Sequence, residues 1–481
     1  MRTTQLLIGD EWVDSSSGAT GVTVDPADGE VIGTFAEATS ADVDAAVDAA
    51  RAGFESDAWR SLTPDARGRL LWRIADLIEA HGTELAELET RDQGQPTFVS
   101  TGISVPLAAQ VFRYYAGYAT KLEGKVSPVS VPDQLTYQRR VPLGVCGLIT
   151  PWNFPLGIAA WKLAPALATG NAAVLKPAEQ TPLSTVRLVE LVREAGVPAG
   201  VVNLLTGGPD VGRALVAHPG VDKISFTGST AVGQEIVRAS AHDLKRVGLE
   251  LGGKAPSIVC QDADIDAAVA GNLQGALFNT GQACGAFTRF FVHRSRADEF
   301  TAKIAAAADA LRIGPGAHPQ TVIGPFVSEE HLERVAGYVR SGTEEGAQLV
   351  TGGERVDGEL ARGFFYRPTV FTEVKDHMKI ASEEIFGPVL SIMPYDDLDE
   401  AVARANATDY GLAAVVWTKD LVTAHTLPPR IEAGTVFVNQ LPLIDPGAPW
   451  GGFGLSGWGR ELGAYSIDEF TESQSVFINL S

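Results

Sequence analysis

The stretch VCGLITPWNFPLGIAAWKLAPALATGNAAVLK, residues 145–176, decides the fold class of this chain. Its apolar runs predict a buried strand over 145–150, a helix over 159–168 that stops at Gly170-Asn171, and a second buried strand over 172–176. A strand, a helix and a strand at this spacing predict a right-handed crossover between parallel strands. The fold class is therefore predicted to be α/β, in which nucleotides bind at the carboxyl ends of the strands.

The alternation of strands and helices continues on the carboxyl side of this stretch. It predicts a helix capped by Thr181-Pro182 that runs to Glu194, a strand over 201–205, a short helix over 211–217 and a strand over 223–226. After Gly253 the same pattern predicts strands over 257–259, 290–292 and 391–393, with helices over 296–311 and 328–346. Two α/β domains are therefore expected.

Other segments precede and follow these domains. Helices are predicted over 40–53, with Ser40 as the cap, and from Thr63-Pro64 to Gly82. Residues 126–141 and 467–480 instead alternate apolar and polar side chains, and the first of them contains prolines. Such segments predict the strands of an arm that stands off a domain, and the two can pair with each other.

The composition excludes several classes of function. With 481 residues, 45% apolar and 20% charged, the chain is predicted to be globular, with roughly two to four domains. The net charge of −21 argues against nucleic acid or an anionic membrane as a partner. The first 14 residues lack the pattern of a secretory signal, and no apolar run reaches the roughly 18 residues of a membrane span. Three widely spaced cysteines without a CxxC pair predict reduced thiols, no zinc or other metal site, and a soluble cytoplasmic protein.

Cys284 is the first candidate for chemistry. It lies in LFNTGQACGAFTR, residues 277–289, between Gly281 and Gly285, whose missing side chains can allow close approach to the thiol. The alternative is a small core cysteine, which is the commoner place for a lone cysteine. The stretch alone does not decide between these interpretations.

Two other turns suit a nucleotide. The segment FTGST, residues 226–230, is followed by Gly233 and a helix whose first amides can bind phosphate. It matches neither the dinucleotide glycine pattern nor a P-loop, so a packing turn is an equal alternative. Lys176 and Glu179 follow a strand and can bind a ribose, or they can form a solvated ion pair.

Glu250 and Asn153 complete the set of chemical candidates. Glu250 lies in the apolar, glycine-rich segment GLELGGK, where desolvation raises a carboxyl pKa toward that of a general base near neutral pH. Asn153 lies in the rigid turn PWNFP, where its amide can donate to an oxyanion or simply cap the turn.

Seven segments then occur in an order typical of one family. They are PWNFP, KPAEQTP, FTGST, ELGGKAP, FNTGQACGAFTR, EEIFGPV and PWGGFGLSGWGRELG. The chain resembles the NAD(P)-dependent aldehyde dehydrogenase superfamily, of the non-phosphorylating, hydrolytic type, over nearly its whole length. The resemblance implies a Rossmann-like cofactor domain, an α/β catalytic domain and a small β oligomerisation arm. It also implies oxidation of an aldehyde to the carboxylic acid with reduction of NAD.

The resemblance assigns catalytic roles residue by residue. It implies that the thiolate of Cys284 attacks the aldehyde, and that the Asn153 side chain and the Cys284 amide hold the oxyanion. Hydride loss then leaves a thioester, and Glu250 activates the water that hydrolyses it. Lys162 and Glu461 match positions associated with a proton path for this base.

The resemblance also implies a cofactor site. Lys176 and Glu179 match contacts to the adenosine ribose, Trp152 and Ser229 those near the pyrophosphate, and Glu384 with Phe386 those at the nicotinamide end. Gly228, Gly233 and Leu251 complete the expected cofactor set. Because the Glu179 carboxylate would repel a 2′-phosphate, NAD is predicted over NADP.

A substrate tunnel is implied but not its substrate. The matching residues are Phe154, Ile158, Trp161, Ala283, Gly285 and Trp450. The terminal segment resembles the betaine and amino-aldehyde branch, in which aromatic faces hold a cationic tail, but the same faces can stack an aromatic aldehyde or bury an alkyl chain. The small flanks of Cys284 suggest room for a bulky substrate unless a neighbour fills it. Gly454 stands where the family usually has Lys.

The resemblance implies a division into domains and an oligomer. Residues 1–123 and 143–252 are expected to form the NAD-binding domain, 253–465 the catalytic domain, and 124–142 with 466–481 the arm of a homodimer or homotetramer. Two alternatives are a coenzyme A-acylating semialdehyde dehydrogenase and a catalytically silent structural relative. Glu250 argues against the first alternative. The joint presence of Asn153, Glu250, Cys284 and Glu384 argues against the second.

Overall fold

A computed structural model describes residues 2–481 and gives the following elements. The strands are β1 (Arg2–Thr4), β2 (Leu6–Ile8), β3 (Glu11–Val13), β4 (Thr20–Val24), β5 (Val31–Ala36), β6 (Gln134–Pro142), β7 (Val145–Ile149), β8 (Ala172–Lys176), β9 (Val202–Leu204), β10 (Lys223–Thr227), β11 (Arg246–Glu250), β12 (Ala255–Val259), β13 (Phe287–His293), β14 (Gln348–Thr351), β15 (Thr369–Thr372), β16 (Val389–Tyr395), β17 (Tyr410–Gly411), β18 (Ala413–Trp417), β19 (Thr435–Val438), β20 (Phe453–Gly454), β21 (Gly457–Trp458) and β22 (Thr471–Asn479). The helices are α1 (Ser40–Glu55), α2 (Asp57–Arg60), α3 (Pro64–Ala80), α4 (Gly82–Gln93), α5 (Thr97–Val99), α6 (Val105–Tyr118), α7 (Pro155–Ala168), α8 (Leu183–Glu194), α9 (Pro209–Ala217), α10 (Thr230–Ser240), α11 (Ile265–Leu277), α12 (Arg294–Asp309), α13 (Glu329–Glu344), α14 (Lys379–Ser382), α15 (Leu398–Asn406), α16 (Leu421–Thr426) and α17 (Tyr465–Glu469).

An eight-stranded sheet contains the opening stretch of the sequence. Its order is β21-β11-β10-β7-β8-β9-β2-β3, and the five strands from β11 to β9 are parallel. The predicted crossover β7-α7-β8 is present. Helix α7 begins at Pro155, four residues before the predicted start, because proline at the first helical position needs no amide partner and already has a helical φ.

A second sheet has seven strands in the order β14-β15-β16-β13-β12-β18-β19. The three strands predicted in this half of the chain, β12, β13 and β16, are neighbours in it and run parallel. Only β14 at one edge is antiparallel. The central strands β13 and β16 are buried on both faces, as is usual in parallel sheets. The predicted α/β fold class is confirmed.

The amino-terminal helices agree with the sequence apart from their caps. The cap of α1 is Thr39 and not Ser40, because the Thr39 hydroxyl accepts the Asp42 amide while the Asp42 carboxylate accepts the Thr39 amide. Helix α3 begins after the predicted Thr63 cap. It ends at Ala80, and Gly82 begins the next helix instead of closing this one.

The two alternating segments pair as predicted. Strands β6 and β22 are antiparallel, from Pro142 opposite Thr471 to Gln134 opposite Asn479. Both are shorter than expected, because residues 126–133 contribute only one bridge, from Val126 to Tyr137, and the chain just before β22 is helical as α17. The domain boundaries drawn from the sequence stay a prediction. Within residues 2–481, no helix is long and apolar enough to cross a membrane.

Candidate active site

The thiol of Cys284 lies half-buried between α11 and β13. After α11 the chain makes a tight 3-10 turn over Phe278–Gly281. Within it Asn279 and Thr280 have positive φ values of 50° and 61°, a conformation that is uncommon for residues other than glycine. Backbone strain of this kind is often found at functional sites.

The glycines on either side of Cys284 are explained by packing. Gly281 has a φ of +74°, and an added Cβ would lie 2.5 Å from the backbone carbon of Gly387. At Gly285 an added Cβ would lie 3.0 Å from the indole ring of Trp450. Gly281 is therefore required because two backbone segments approach each other closely there. The space expected for a substrate beside Gly285 is filled by Trp450.

The thiol has a raised pKa. Burial, and after it the carboxylates of Glu250 and Glu384, raise the pKa of Cys284 to about 12. The resting residue is therefore a thiol, because burial and the two carboxylates make a charged sulfur costly. A nucleophilic thiolate requires a base that takes this proton.

Asn153 is buried and held from several directions. Its Nδ2 donates to the Gln282 carbonyl at 2.9 Å, which uses one of the two hydrogens of the amide. Its backbone carbonyl accepts from Gln95 Nε2 at 3.1 Å and from Asn279 Nδ2 at 2.9 Å. Sequence reasoning missed these three supports. The polar run FNTGQAC contains two of them, and this was the available signal.

Glu250 ends β11 and is 5% exposed. Burial and the charge of Glu461 raise its pKa well above the ordinary value, while Lys162 and Arg460 lower it. Among the residues that the structure describes, Glu250 Oε2 has no hydrogen-bond partner. The carboxyl is therefore desolvated, as the sequence predicted, but charged side chains also lie near it.

Behind Glu250 lies a buried ion pair. Lys162 Nζ donates to Glu461 Oε1 at 2.5 Å and to Ser225 Oγ at 3.0 Å, and Lys162 is completely buried. The backbone of Glu461 exchanges two hydrogen bonds with that of Trp450, at 2.7 and 2.8 Å. A small cavity is lined by Glu250, Glu461 and Ser225. The two residues matched to a proton path thus lie beside the expected base.

The residues expected to bind the ribose and the pyrophosphate lie at the carboxyl ends of three adjacent parallel strands, β10, β7 and β8. Ser229 caps α10, and its Oγ accepts the Val232 amide at 3.4 Å. Lys176 ends β8 and lies 3.7 Å from Glu179, but it is only 4% exposed, so a solvated ion pair is the wrong interpretation. A helix amino terminus beside a buried cation and a carboxylate fits the phosphates and ribose of NAD.

Two of the expected cofactor glycines have packing roles. An added Cβ on Gly233 would lie 2.7 Å from the Leu251 side chain, and one on Gly228 would lie 2.4 Å from the ring of Phe226. The Gly228 amide donates to the Glu250 carbonyl at 3.0 Å. These contacts hold α10 and the turn before it against β11.

Glu384 and Phe386 lie on the segment between α14 and β16. Glu384 Oε1 accepts the Gly253 amide at 2.9 Å, and burial raises the pKa of this carboxyl. Phe386 has a φ of +63°, and its ring stands edge-on to Trp152 with centroids 5.2 Å apart. The ring contact with Trp152 connects the segment Glu384–Phe386 to the residues that follow β7.

The expected substrate residues are mostly apolar and buried. Phe154 stacks on Phe278 with centroids 5.6 Å apart and planes 17° apart. Ile158, Trp161 and Trp450 are buried, and Ala283 is half-buried. Sequence reasoning missed Phe278, although it begins the segment FNTGQAC. Gly454, where Lys is usual, has a φ of +55°, and an added Cβ would lie 2.5 Å from the Asp409 carbonyl oxygen.

A half-buried thiol whose pKa is raised by two carboxylates, in a fold whose strand ends suit a dinucleotide, is typical of a thiol-dependent oxidoreductase. The model of the aldehyde dehydrogenase family matches residues 12–476. The mitochondrial aldehyde dehydrogenase of Mesocricetus auratus is 48% identical over 480 residues, 99% of this chain and 95% of that protein. The phenylacetaldehyde dehydrogenase of Pseudomonas fluorescens is 46% identical over 98% of this chain and 95% of its own length.

A solved structure agrees with these relatives. The NAD⁺ complex of an aldehyde dehydrogenase from Bacillus cereus superposes with a TM-score of 0.98 at 45% identity, covering 100% of this chain and 97% of that one. The chain belongs to the aldehyde dehydrogenase family. It is an NAD-dependent enzyme that oxidises an aldehyde to the carboxylic acid.

Proposed function

We propose that Cys284 is the nucleophile of this oxidation. The observation that carries the proposal is the half-buried thiol beside the side chain of Asn153, whose Nδ2 donates to the carbonyl of Gln282, two residues before Cys284, at 2.9 Å. The carboxylates of Glu250 and Glu384 both raise the pKa of this thiol. Glu250 accepts the thiol proton, and the sulfur adds to the aldehyde carbonyl to form a thiohemiacetal. The Asn153 amide and the Cys284 backbone amide donate to the resulting oxyanion, and the contacts of Asn153 hold its side chain in place.

The second half of the reaction releases the acid. NAD, when bound, supplies the hydride acceptor that turns the thiohemiacetal into a thioester. Glu250 then takes a proton from water, and the hydroxide that forms cleaves the thioester. Before it acts on water, Glu250 passes the thiol proton to the carboxylate of Glu461. The Lys162 ammonium has no lone pair to accept a proton and stabilises the charge of Glu461. Because water completes the cycle, NADH forms without coenzyme A, and a strict requirement for coenzyme A would contradict this step.

The residues around the strand ends are proposed to hold the cofactor. Lys176 and Glu179 bind the adenosine ribose, Ser229 and Trp152 lie at the pyrophosphate, and Glu384 with Phe386 orient the nicotinamide end. Gly228, Gly233 and Leu251 support these contacts by packing α10 against β11. This arrangement leaves the thiol between the cofactor side and the general base.

A single substitution tests the nucleophile. Cys284→Ala is expected to lower kcat by a factor on the order of 10³ or more while the Kd of NAD, measured by calorimetry, stays within about twofold. Cys260→Ala is the matched control, since that thiol is buried on β12's carboxyl side and plays no part in the proposal. Substantial turnover in Cys284→Ala would refute the assignment.

We propose an arylaliphatic aldehyde as the preferred substrate class. The stacked rings of Phe154 and Phe278, with Trp161 and Trp450, offer flat apolar faces to an aromatic ring. The phenylacetaldehyde dehydrogenase among the relatives supports this choice. A panel of alkyl, arylaliphatic and trimethylammonium-bearing aldehydes is expected to give the highest kcat/KM for the arylaliphatic members. A preference for the cationic aldehyde would favour the betaine branch instead.

The domain boundaries predicted from the sequence are proposed to divide the chain into cofactor domain, catalytic domain and arm. We also propose that the β6–β22 arm joins subunits into a dimer or tetramer, because exposed apolar side chains such as Phe477 and Leu135 lie on it. Light scattering that gives a monomer would contradict this. Three free cysteines and a mechanism that needs a free thiol favour a reducing, cytoplasmic setting.

A further inference from the structure

The segment Glu384–Phe386 is held through its backbone by α13. The carbonyl of Glu384 accepts from Arg334 Nη2 at 2.8 Å, and that of Ile385 accepts from Arg334 Nη1 at 3.0 Å. The carbonyl of Phe386 accepts from His331 Nε2 at 2.7 Å. Two side chains one helical turn apart thus bind three successive carbonyls, and no substrate or catalytic role has been given to either of them.

The segment needs such support because its backbone is strained. Phe386 has a φ of +63°, which costs a bulky residue energy unless neighbours hold it. The imidazole of His331 also packs edge-on against two rings, Trp152 and Phe326, with centroids 5.1 and 5.2 Å away. His331 therefore connects Phe386 with Trp152, which lies at the end of β7.

The chemistry of His331 suits a fixed donor. Burial lowers its pKa to about 4, so the ring is neutral at neutral pH and carries one N–H. Because a carbonyl can only accept, that hydrogen must be on Nε2. The bond to Phe386 is therefore present throughout the neutral and alkaline range.

We propose that His331 and Arg334 are positioning residues that fix the backbone of Glu384–Phe386 for binding NAD. The inference rests on the proposed cofactor contacts of Glu384 and Phe386 and adds the residues that set their geometry. It predicts that substitutions of His331 and Arg334 weaken NAD binding and leave the aldehyde site unchanged, since the thiol and the substrate rings lie on other elements.

The test uses the full chain and measures the Kd of NAD by calorimetry together with kcat and both KM values. His331→Leu removes the donor, and Arg334→Met removes two. His331→Leu is expected to raise the Kd and the KM of NAD about tenfold, as the loss of one hydrogen bond does, and Arg334→Met at least about tenfold. The aldehyde KM is expected to stay within about twofold in both variants. His331→Gln keeps an N–H and is expected to recover most of the affinity.

Controls separate this inference from the proposed function. Glu333→Gln alters an exposed neighbour on the same helix and is expected to change nothing. Glu384→Gln tests the cofactor contact itself: if it leaves NAD binding unchanged, the proposed contact is wrong. If Glu384→Gln weakens NAD while His331→Leu and Arg334→Met do not, or if these two raise the aldehyde KM equally, the positioning role is overturned. If His331→Leu does not fold, Arg334→Met and His331→Gln decide the matter.

Discussion

Lys162 Nζ lies 2.5 Å from Glu461 Oε1, and both side chains are shielded from water. Glu461 raises the pKa of Glu250 and Lys162 lowers it, so the two members of the pair act on the proposed base with opposite signs. Charges at this separation interact strongly away from solvent. The pair therefore sets how readily Glu250 loses its proton.

Neutralising Glu461 should move the pH dependence of turnover toward acid. In Glu461→Gln the charge that raises the pKa of Glu250 is gone and the opposing charge of Lys162 remains, so Glu250 is ionised at lower pH. The rise of kcat with pH, measured at saturating aldehyde and NAD, is expected to shift to lower pH than in the unaltered protein. Glu194→Gln, at an exposed position on α8, is the control and should leave the profile in place.

Removing Lys162 should have the opposite effect. Lys162→Met takes away a charge that lowers the pKa of Glu250 and leaves Glu461 without its partner, so the rise of kcat is expected at higher pH. Burying an unpaired carboxylate also costs stability, about 3–5 kcal/mol for a broken buried pair, so thermal unfolding is measured alongside. Shifts of the same sign in the two variants would contradict the proposed pairing.

The thiol itself gives a test that needs no turnover. With a pKa raised to about 12, Cys284 is almost wholly protonated at neutral pH in the absence of cofactor. Its alkylation by iodoacetamide is expected to accelerate about tenfold for each unit of pH, with no plateau near neutrality, because only the thiolate reacts. Mass spectrometry follows the modified peptide. A plateau between neutral and mildly alkaline pH would show a thiolate at rest.

Glu179 should control the choice between NAD and NADP. Its carboxylate is about one-third exposed beside Lys176, where it would repel a 2′-phosphate. Glu179→Gln removes the repulsion, and kcat/KM for NADP relative to NAD is expected to rise at least about tenfold. The comparison uses initial rates at equal cofactor concentrations. An unchanged ratio would mean that the ribose lies elsewhere.

A methyl group at Gly285 should reduce the space next to Cys284. The added Cβ would lie 3.0 Å from the Trp450 indole, and overpacking of this kind costs about 1–3 kcal/mol. Gly285→Ala is expected to lower kcat/KM about tenfold for arylaliphatic aldehydes and less for short alkyl ones. Phenylalanine is smaller than tryptophan, so adding Trp450→Phe to Gly285→Ala should restore part of the lost kcat/KM. Equal losses for all aldehydes would point to a general disturbance of Cys284.

The sequence predicts the central strands well and the edges poorly. Strands β7 and β8 are apolar on both faces because neighbours cover them on both sides, so their composition alone reveals them. Strand β11 gives no such signal, since it begins with an exposed arginine and contains Gly248. Its position follows only from pairing with β10 and β21.

The candidate site shows the same limit. Cys284, Glu250 and Asn153 belong to segments whose order identifies the family. Gln95 is 58 residues from Asn153 along the chain, and its hydrogen bond depends on how two loops pack, which no local pattern encodes. Burial is the first cause of the raised pKa of both Glu250 and Cys284, but each pKa is also raised by carboxylates from distant parts of the chain, Glu461 for Glu250 and Glu250 with Glu384 for Cys284. No local pattern encodes these contributions.

The paired backbone bonds between Trp450 and Glu461 have a consequence for anyone who would redesign this enzyme. One residue is part of the proposed wall around the substrate, and the other belongs to the charged pair behind the base. If a variant widens the proposed substrate tunnel by a shift of the Trp450 backbone, the paired hydrogen bonds shift Glu461 as well. Under the proposed roles, the range of substrates and the rate of thioester hydrolysis are therefore mechanically linked. Variants selected for a broader substrate range should also be screened for the rate of that step.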